Sequence, residues 1–467
     1  MSTPSNPAPL DFTMPEQGSV EPASVAGRVA IHTHGCKLNQ ADSSVLARQF
    51  RQAGYILVND VRDADIFVLN TCTVTSTADS KARRSLRAAS RANPDAVVVA
   101  AGCYPQRAAE ELDRMEAVSL VVGNEDKHQL ASLAVAAHRK KLGLSTEPPE
   151  FGGSQIAKME VSGKLPGRTR GMVKIQEGCD QVCAYCIVPK VRGRERSIPP
   201  EEIVRQVQQK VEEGCREVTL TGTQLGTYGF DLADTDLRNL IRRVLDETEL
   251  ARLRVSSLQP QEINRELLDL WLADSRLCPH FHVPLQSGCD NTLRAMRRRY
   301  DTGRFAKTVS LIRQAIPDSG ITADLIVGFP GEEARQFEES LAFAAEMAFS
   351  DMHLFPYSRR PGTSAVYLEG HVTETEKRER MGRAQQVARH SFNLFRRGQL
   401  GATRPVLWEG AENGVNGGRW KGLTDNYIRV LASPTDSEDS QRILPNTITQ
   451  ARLTELRGEM VVAVPVS

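Results

Sequence analysis

The 467-residue chain has no apolar run long enough for a membrane span, almost no net charge, and cysteines that do not pair off. A spanning helix needs about 20 apolar residues in a row, so no such helix is expected. Lys+Arg total 59 against 58 Asp+Glu, a formal charge of +1. Bulk charge therefore attracts no polyanion, and any nucleic-acid contact has to be local. The nine cysteines are an odd number in a chain without a signal peptide. That argues for a reducing, cytoplasmic setting and for metal ligation rather than disulfides. Met1–Ser24 lacks the basic start and apolar centre of a targeting sequence and is rich in Pro, Ser and acid. Residues 1–26 accordingly read as a disordered tail. The length predicts about three domains.

Three of the cysteines stand together in Cys179-Asp-Gln-Val-Cys183-Ala-Tyr-Cys186, after a strand expected over Met172–Gln176. Three thiolates fall short of the four ligands of a closed zinc site, although a zinc or disulfide arrangement completed from elsewhere is the alternative. They can hold three irons of a 4Fe–4S cluster and leave the fourth open to a small molecule. The spacing resembles that of the radical S-adenosylmethionine (SAM) superfamily, in which SAM chelates the open iron through its amino and carboxylate groups.

The N-terminal third alternates strands and helices. Val29–Thr33, Asp65–Leu69, Ala96–Ala100 and Ser119–Val122 are strand candidates, each followed by a helical pattern. The alternation predicts a doubly wound parallel sheet, and the nearly all-apolar strands fit burial on both faces. Ligands of such sheets bind beyond the carboxyl ends of the strands. Cys36, Cys72 and Cys103 each follow a strand, so the fold would bring them to one edge. Helix N-termini behind them would favour thiolate. The alternative is three unrelated buried cysteines.

The words around these cysteines carry a more specific resemblance. Gly35-Cys36-Lys37-Leu38-Asn39-Gln40, Asn70-Thr71-Cys72-Thr73-Val74-Thr75 and Gly102-Cys103-Tyr104-Pro105-Gln106 resemble the N-terminal domain of the methylthiotransferases. The resemblance covers about Gly27 to Val466 and implies a cluster domain over 27–139, a radical SAM domain over 166–399 and a TRAM RNA-binding domain over 400–467. Residues 140–165, with Pro148-Pro149 and Gly152-Gly153, read as a linker.

In the central region six further strand–helix units are expected, on Met172–Gln176, Glu217–Thr221, Arg252–Ser256, His280–Val283, Ile321–Val327 and His353–Tyr357. They fit a partial (β/α)6 barrel with chemistry at the strand carboxyl ends. The family resemblance implies that Thr221, Gly222, Gln224, Ser257, Gln286 and Asp324 help to hold SAM. Gln259 departs from the family, in which this place often has Glu. Cys215, Cys278 and Cys289 read as inert core residues.

The last stretch is strand-rich and fits a small OB-like β-barrel. Between Ala402 and Val466 there are 7 Lys+Arg and 8 Asp+Glu, so RNA binding would need a local face, for which Arg419, Lys421, Tyr427 and Arg429 are the candidates. Elsewhere three basic groups suit phosphate contact: Lys190, Arg192, Arg194 and Arg196; Arg294, Arg297, Arg298 and Arg299; and Arg83, Arg84, Arg87 and Arg91.

The resemblance implies an enzyme that adds a methylthio group to an unactivated C–H bond, using SAM and two 4Fe–4S clusters. One cluster, on Cys179, Cys183 and Cys186, would generate the radical. The other, on Cys36, Cys72 and Cys103, would present sulfur. An electron donor such as flavodoxin or ferredoxin is implied, and a monomer is expected. The motif wording resembles the branch acting on threonylcarbamoyladenosine at position 37 of tRNA, in the anticodon stem-loop. Branches acting on isopentenyladenosine-37 or on a ribosomal-protein aspartate are the alternatives. A radical SAM methyltransferase with a structural N-terminal domain, and an iron–sulfur RNA-binding protein without turnover, are the readings from other classes.

Overall fold

The computed structural model describes residues 26–145, 169–411, 420–432 and 445–466. Residues 1–25 of the expected tail, 146–165 of the expected linker, and Arg419 lie outside the described residues.

The first body contains β1 (Gly27–Thr33), α1 (Lys37–Gln52), β2 (Tyr55–Val58), β3 (Ile66–Thr71), α2 (Ser76–Ala92), β4 (Val97–Gly102), α3 (Cys103–Asp113), β5 (Leu120–Val122) and α4 (Leu130–Lys141). The strands form one sheet in the order β2-β1-β3-β4-β5, all pairs parallel. Period-two alternation splits its core in two. Ile66, Val68, Val97 and Val99 pack on one face, while Phe67, Leu69, Val98 and Ala100 pack on the other. That is why β3 and β4 read as unbroken apolar runs. β2 is a fifth strand where the sequence suggests four. It is a four-residue apolar edge strand, Tyr55–Val58, with only Tyr55 buried, and its shortness hides it among the longer runs.

The second body is a partial barrel. It begins with β6 (Arg170–Lys174), a two-residue hairpin of β7 (Gln176–Glu177) with β8 (Arg196–Ser197), and the short α5 (Val188–Arg192) between them. It continues through α6 (Pro200–Glu212), β9 (Glu217–Thr221), α7 (Leu237–Glu247), β10 (Arg252–Val255), α8 (Arg265–Ala273) and β11 (His280–His282). Then come α9 (Asp290–Ala295), α10 (Thr302–Ala315), β12 (Gly320–Val327), α11 (Ala334–Glu346), β13 (Asp351–Pro356) and the long α12 (Glu374–Gly398). β6-β9-β10 and β11-β12-β13 are parallel sheets, and the bridges Leu253↔Leu277 and Ser257↔His282 join them. The strand order therefore follows the chain, with the gap between β6 and β13.

The third body is a closed barrel of β14 (Thr403–Ala411), β15 (Trp420–Thr424), β16 (Arg429–Ala432), β17 (Ile448–Arg457) and β18 (Met460–Pro465), in the order β14-β15-β16-β18-β17. Its turn at Asp425–Tyr427 plugs the amino end of the (β/α) barrel. The Tyr427 ring stacks on His280 at 4.1 Å and lies under the Arg254 guanidinium. Arg254 Nη1 donates to the Asp425 carbonyl at 3.0 Å, and Arg252 Nη1 to the Leu423 carbonyl at 3.2 Å. Tyr427 adopts φ +77° to make this turn. Its ring is thus committed to the barrel floor and does not belong to the RNA-facing group suggested by the sequence.

Candidate active site

The cysteines of the N-terminal body sit where parallel-sheet topology puts them. Cys36 caps α1 without using its thiol as the cap, Cys72 follows β3, and Cys103 opens α3 after β4. β1, β3 and β4 are adjacent, about 4.8 Å apart. Gly35 lets the Cys36 loop approach, since a Cβ there would lie 2.6 Å from the Cys72 Cβ, and its φ is +126°. Asn124 Nδ2 donates to Cys103 Sγ at 3.3 Å. Burial and the neighbouring Cys103 and Cys36 charges push the Cys72 thiol up to about 12.

One cation serves this triple from the barrel side. Arg192, the last residue of α5, is buried. Although burial opposes its charge, the Cys103 and Cys36 thiols and the carboxylates of Asp42 and Glu177 hold it firmly protonated. Its Nη2 donates to Asn39 Oδ1 at 2.6 Å. Asp42 also receives Lys127 at 2.9 Å and Lys174 at 2.8 Å, so α1 is tied to the first barrel strand by a buried ion network. Arg192 was expected on a phosphate-binding surface. The structure removes it from that role, since its charge is consumed inside the junction.

The second triple occupies the loop after β7, at the carboxyl end of the first barrel strand. Gly178, at φ +77°, is packed directly on the Arg194 carbonyl, so that no side chain fits there. This turn lets Cys179 N–H reach the Gly193 carbonyl at 3.2 Å. Ala184 N–H donates to the Met296 carbonyl at 3.0 Å, and its own carbonyl accepts from Ala365 at 2.8 Å. Arg298 Nη1 donates to Cys183 Sγ at 3.2 Å and Nη2 to Gln259 Oε1 at 3.1 Å. Arg298 too is lost from the expected phosphate-binding group. Burial pushes the Cys179 thiol to about 11 and Cys186 to about 12. Such thiols keep their protons until a metal displaces them.

Both triples fit an iron–sulfur cluster by donor chemistry: three soft thiols on a glycine-shaped loop or edge, with a cation against them. Among the described residues no three His, Cys, Asp or Glu side chains close on a single metal ion.

The residues expected to hold SAM ring the same end of the barrel. Thr221 closes β9, and Gly222 packs so tightly that a Cβ would meet Leu225 at 2.8 Å and Gln176 at 3.1 Å. Gln224 is bound to Gln259 and Glu262 through its side-chain amide, and Gln259 Nε2 also reaches Gln181 Oε1 at 3.1 Å. Burial raises Glu262 to about 7. Ser257 bridges to His282. Gln286 holds φ +66° and donates its N–H to the Asp324 carbonyl at 2.8 Å. The Asp324 carboxylate accepts from His282 Nε2 at 3.2 Å. These groups are brought together at one mouth, although Gln224 and Asp324 already have protein partners there.

One residue crosses from the N-terminal body into this mouth. Lys37, next to Cys36, extends its Nζ to Ser256 Oγ at 3.3 Å. Burial, and then the Arg254 charge below it, push its ammonium down to about 8. Sequence reasoning quoted Lys37 within a motif and assigned it nothing. Its position after a strand-end cysteine was the available signal. The N-terminal body is locked over the mouth by Arg360, whose Nη2 donates to Asp79 at 2.6 Å and Thr73 at 2.8 Å. Of the expected basic groups, Arg84, Arg87, Arg91, Lys190, Arg194, Arg196, Arg294, Arg297 and Arg299 are exposed.

Residues 28–123 match the model of Uncharacterized protein family UPF0004, and residues 173–344 match the Radical SAM superfamily. The threonylcarbamoyladenosine tRNA methylthiotransferase MtaB of Bacillus subtilis is 36% identical over 87% of this chain and 91% of its own. The protein of that name from Aquifex aeolicus is 37% identical over 86% and 96%. The tRNA-2-methylthio-N(6)-dimethylallyladenosine synthase of Symbiobacterium thermophilum is 32% identical over 96% and 97%. Among solved structures, the radical SAM methyltransferase TsrM of Kitasatospora setae covers 70% of this chain and 72% of its own at TM-score 0.49 and 16% identity. With a cysteine triple on each of two bodies and this identity along most of its length, the chain belongs to the radical SAM methylthiotransferases, enzymes that work with SAM and two 4Fe–4S clusters.

Proposed function

We propose that the enzyme adds a methylthio group to carbon 2 of N6-threonylcarbamoyladenosine at position 37 of tRNA. The observation that carries this reading is the motif set on Cys36 and Cys72, in a chain 36–37% identical to two relatives named for that substrate. The dimethylallyladenosine relative, at 32% identity, makes isopentenyladenosine-37 the second reading.

In this proposal Cys179, Cys183 and Cys186 hold the cluster that binds SAM, and Cys36, Cys72 and Cys103 hold the second. Bound there, the cofactors supply a radical able to take hydrogen from a carbon with no acidic proton, together with the sulfur and methyl group. The chain's own contribution is positional. Arg298 and Arg192 place a cation against each triple, and Thr221, Gly222, Gln224, Ser257, Gln286 and Asp324 shape the mouth. The N-terminal sheet closes over that mouth and keeps water from the reacting atoms. The exposed arginines of α2 and of the 294–299 segment are the phosphate-facing surface. The chain divides, on this reading, into 27–139, 166–399 and 400–467.

The test is the nucleoside profile of total tRNA after loss of the gene, read by mass spectrometry. Threonylcarbamoyladenosine should persist without its methylthio group while methylthio-isopentenyladenosine is unchanged. Loss of the methylthio-isopentenyl signal instead would move the enzyme to the sister substrate.

A further inference from the structure

The interior of the junction is crowded with charge, and nearly every charge has its opposite. Arg254 and Arg252 meet Glu217 at 3.0 and 3.1 Å. Arg360 and Arg107 meet Asp79 at 2.6 and 2.8 Å. Arg192, Lys127 and Lys174 meet Asp42. Asp324 is bound by His282 at 3.2 Å. Arg298 lacks a carboxylate but is spent on Cys183, Gln259 and Tyr300; Lys37 has neither. Among the described residues no carboxylate lies within ion-pair distance of its Nζ, which has one hydrogen-bond partner, the Ser256 hydroxyl at 3.3 Å. An ammonium carries three donors, so two N–H groups have no hydrogen-bond partner among the described residues.

An ionised group at such a depth is costly unless a counter-charge arrives. Asp324 and Glu217 favour the charge through space, but among the described residues neither pairs with it, so a carboxylate on the ligand would be its direct partner. The substrate proposed above carries such a charge, because its threonyl side group ends in a carboxylate and the isopentenyl group of the sister substrate has none. The geometry of adenine suits the position. Carbons 2 and 6 both flank N1, so a substituent on N6 lies on the same edge as carbon 2. A side chain neighbouring Cys36, a proposed ligand of the sulfur-presenting cluster, is therefore on the side from which the N6 substituent enters.

We propose that Lys37 Nζ is the ionic partner of the substrate's threonyl carboxylate and the specificity determinant for an acidic N6 substituent. This rests on the threonylcarbamoyladenosine reading and deepens it. Ser256 orients the ammonium. Arg254 lies one step deeper on the same strand and is neutralised by Glu217, so it does not compete for the carboxylate. Asp324 is held by His282 and acts on Lys37 through space without pairing with it.

The test uses the cluster-loaded enzyme and anticodon stem-loops carrying threonylcarbamoyladenosine, its methyl ester, or isopentenyladenosine. Binding is read by fluorescence anisotropy and product by mass spectrometry. The ester keeps the shape and removes the charge. A charge-assisted hydrogen bond contributes about 1.5–3 kcal/mol, equivalent to a roughly 10- to 150-fold change in Kd. Wild-type enzyme should bind the acid more tightly than the ester by that factor. Lys37→Gln should lose the factor on the acid and change little on the ester. Lys37→Arg should retain part of it, and full iron content in each variant reports an intact Cys36 site. Equal losses on acid and ester would overturn the proposal, because Lys37 would then serve something common to both, such as SAM. A wild-type enzyme that methylthiolates acid and ester alike would overturn it without any variant, while leaving the substrate reading standing. Turnover of the isopentenyl stem-loop alone would overturn both.

Discussion

Asp79 is the residue on which closure of the N-terminal sheet over the barrel can be measured. Its Oδ2 accepts from Arg107 at 2.8 Å and Arg360 at 2.6 Å, and its Oδ1 accepts from the Thr73 hydroxyl at 2.6 Å. The Asp79 side chain is 6% exposed and that of Arg360 3%, so solvent screening does not discount the pair. Arg107 belongs to the same body as Asp79, whereas Arg360 reaches across from the barrel. Asp79→Ala leaves the interior Arg360 guanidinium uncompensated and Arg107 with only Glu111 at 4.0 Å. Breaking a buried pair in this way costs about 3–5 kcal/mol. Arg360→Ala leaves Asp79 with Arg107 and should cost about 1.5–3 kcal/mol. The double variant should cost little more than Asp79→Ala alone, because the partners share one interaction. A three-body chain need not unfold in one step, so the readout is local. Amide hydrogen exchange by mass spectrometry should show α2 and the segment 358–363 losing protection in Asp79→Ala, by roughly 150- to 5,000-fold. A loss under tenfold, or strictly additive effects in the double variant, would refute the claim that this desolvated cluster holds the two bodies together.

Other outcomes follow from the same geometry. Anaerobically loaded protein should carry about eight irons as two clusters; Cys72→Ala and Cys183→Ala should each leave about four, and full iron in the Cys72 variant would remove that residue from the ligand set. Replacing Cys36, Cys72 and Cys103 together should leave reductive SAM cleavage and abolish sulfur insertion, whereas Cys179→Ala should abolish both. Glu262 is raised by burial from 4.5 to about 7, so on raising the pH the unfolded chain gives up this proton first. Stability without SAM should fall from about pH 4.5 to about pH 7 and level off above, by at most about 3 kcal/mol; denaturant midpoints of wild type and Glu262→Gln across that range should diverge accordingly, and parallel curves would refute the shift. Tyr427→Ala should destabilise the barrel floor by about 3–5 kcal/mol, whereas a thermal midpoint unchanged from wild type would put the ring outside the core.

What the sequence made legible was whatever repeats with a period or stands at a strand end. β3 and β4 could be read because burial on both faces turns them into apolar runs, and the six cysteines because each follows a strand or clusters behind one. The charges were not legible. Arg192 and Arg294 look alike in a string of basic residues, yet one is interior and bound to carboxylates while the other is exposed. The difference comes from Glu177 and above all from Asp42, which is 150 residues from Arg192 in sequence. Tyr427 was misplaced because a left-handed turn swings its ring away from the strand pattern around it. Lys37 was passed over because nothing in Cys36-Lys37-Leu38 says that a side chain of one body ends inside another.

The plugging of the barrel floor by Asp425–Tyr427 bears on how such a protein can be recombined. A small terminal barrel is usually pictured as an interchangeable attachment. Here its turn supplies the lower wall of another body's interior, through a stacked ring and two backbone carbonyls that accept from Arg252 and Arg254. A foreign module grafted after α12 would leave those guanidinium groups facing a hole. Chimeras within this architecture should therefore tolerate exchange of the outward strands while keeping the Asp425–Tyr427 turn, and inheritance of the C-terminal barrel should track that of His280, Arg252 and Arg254 as one unit.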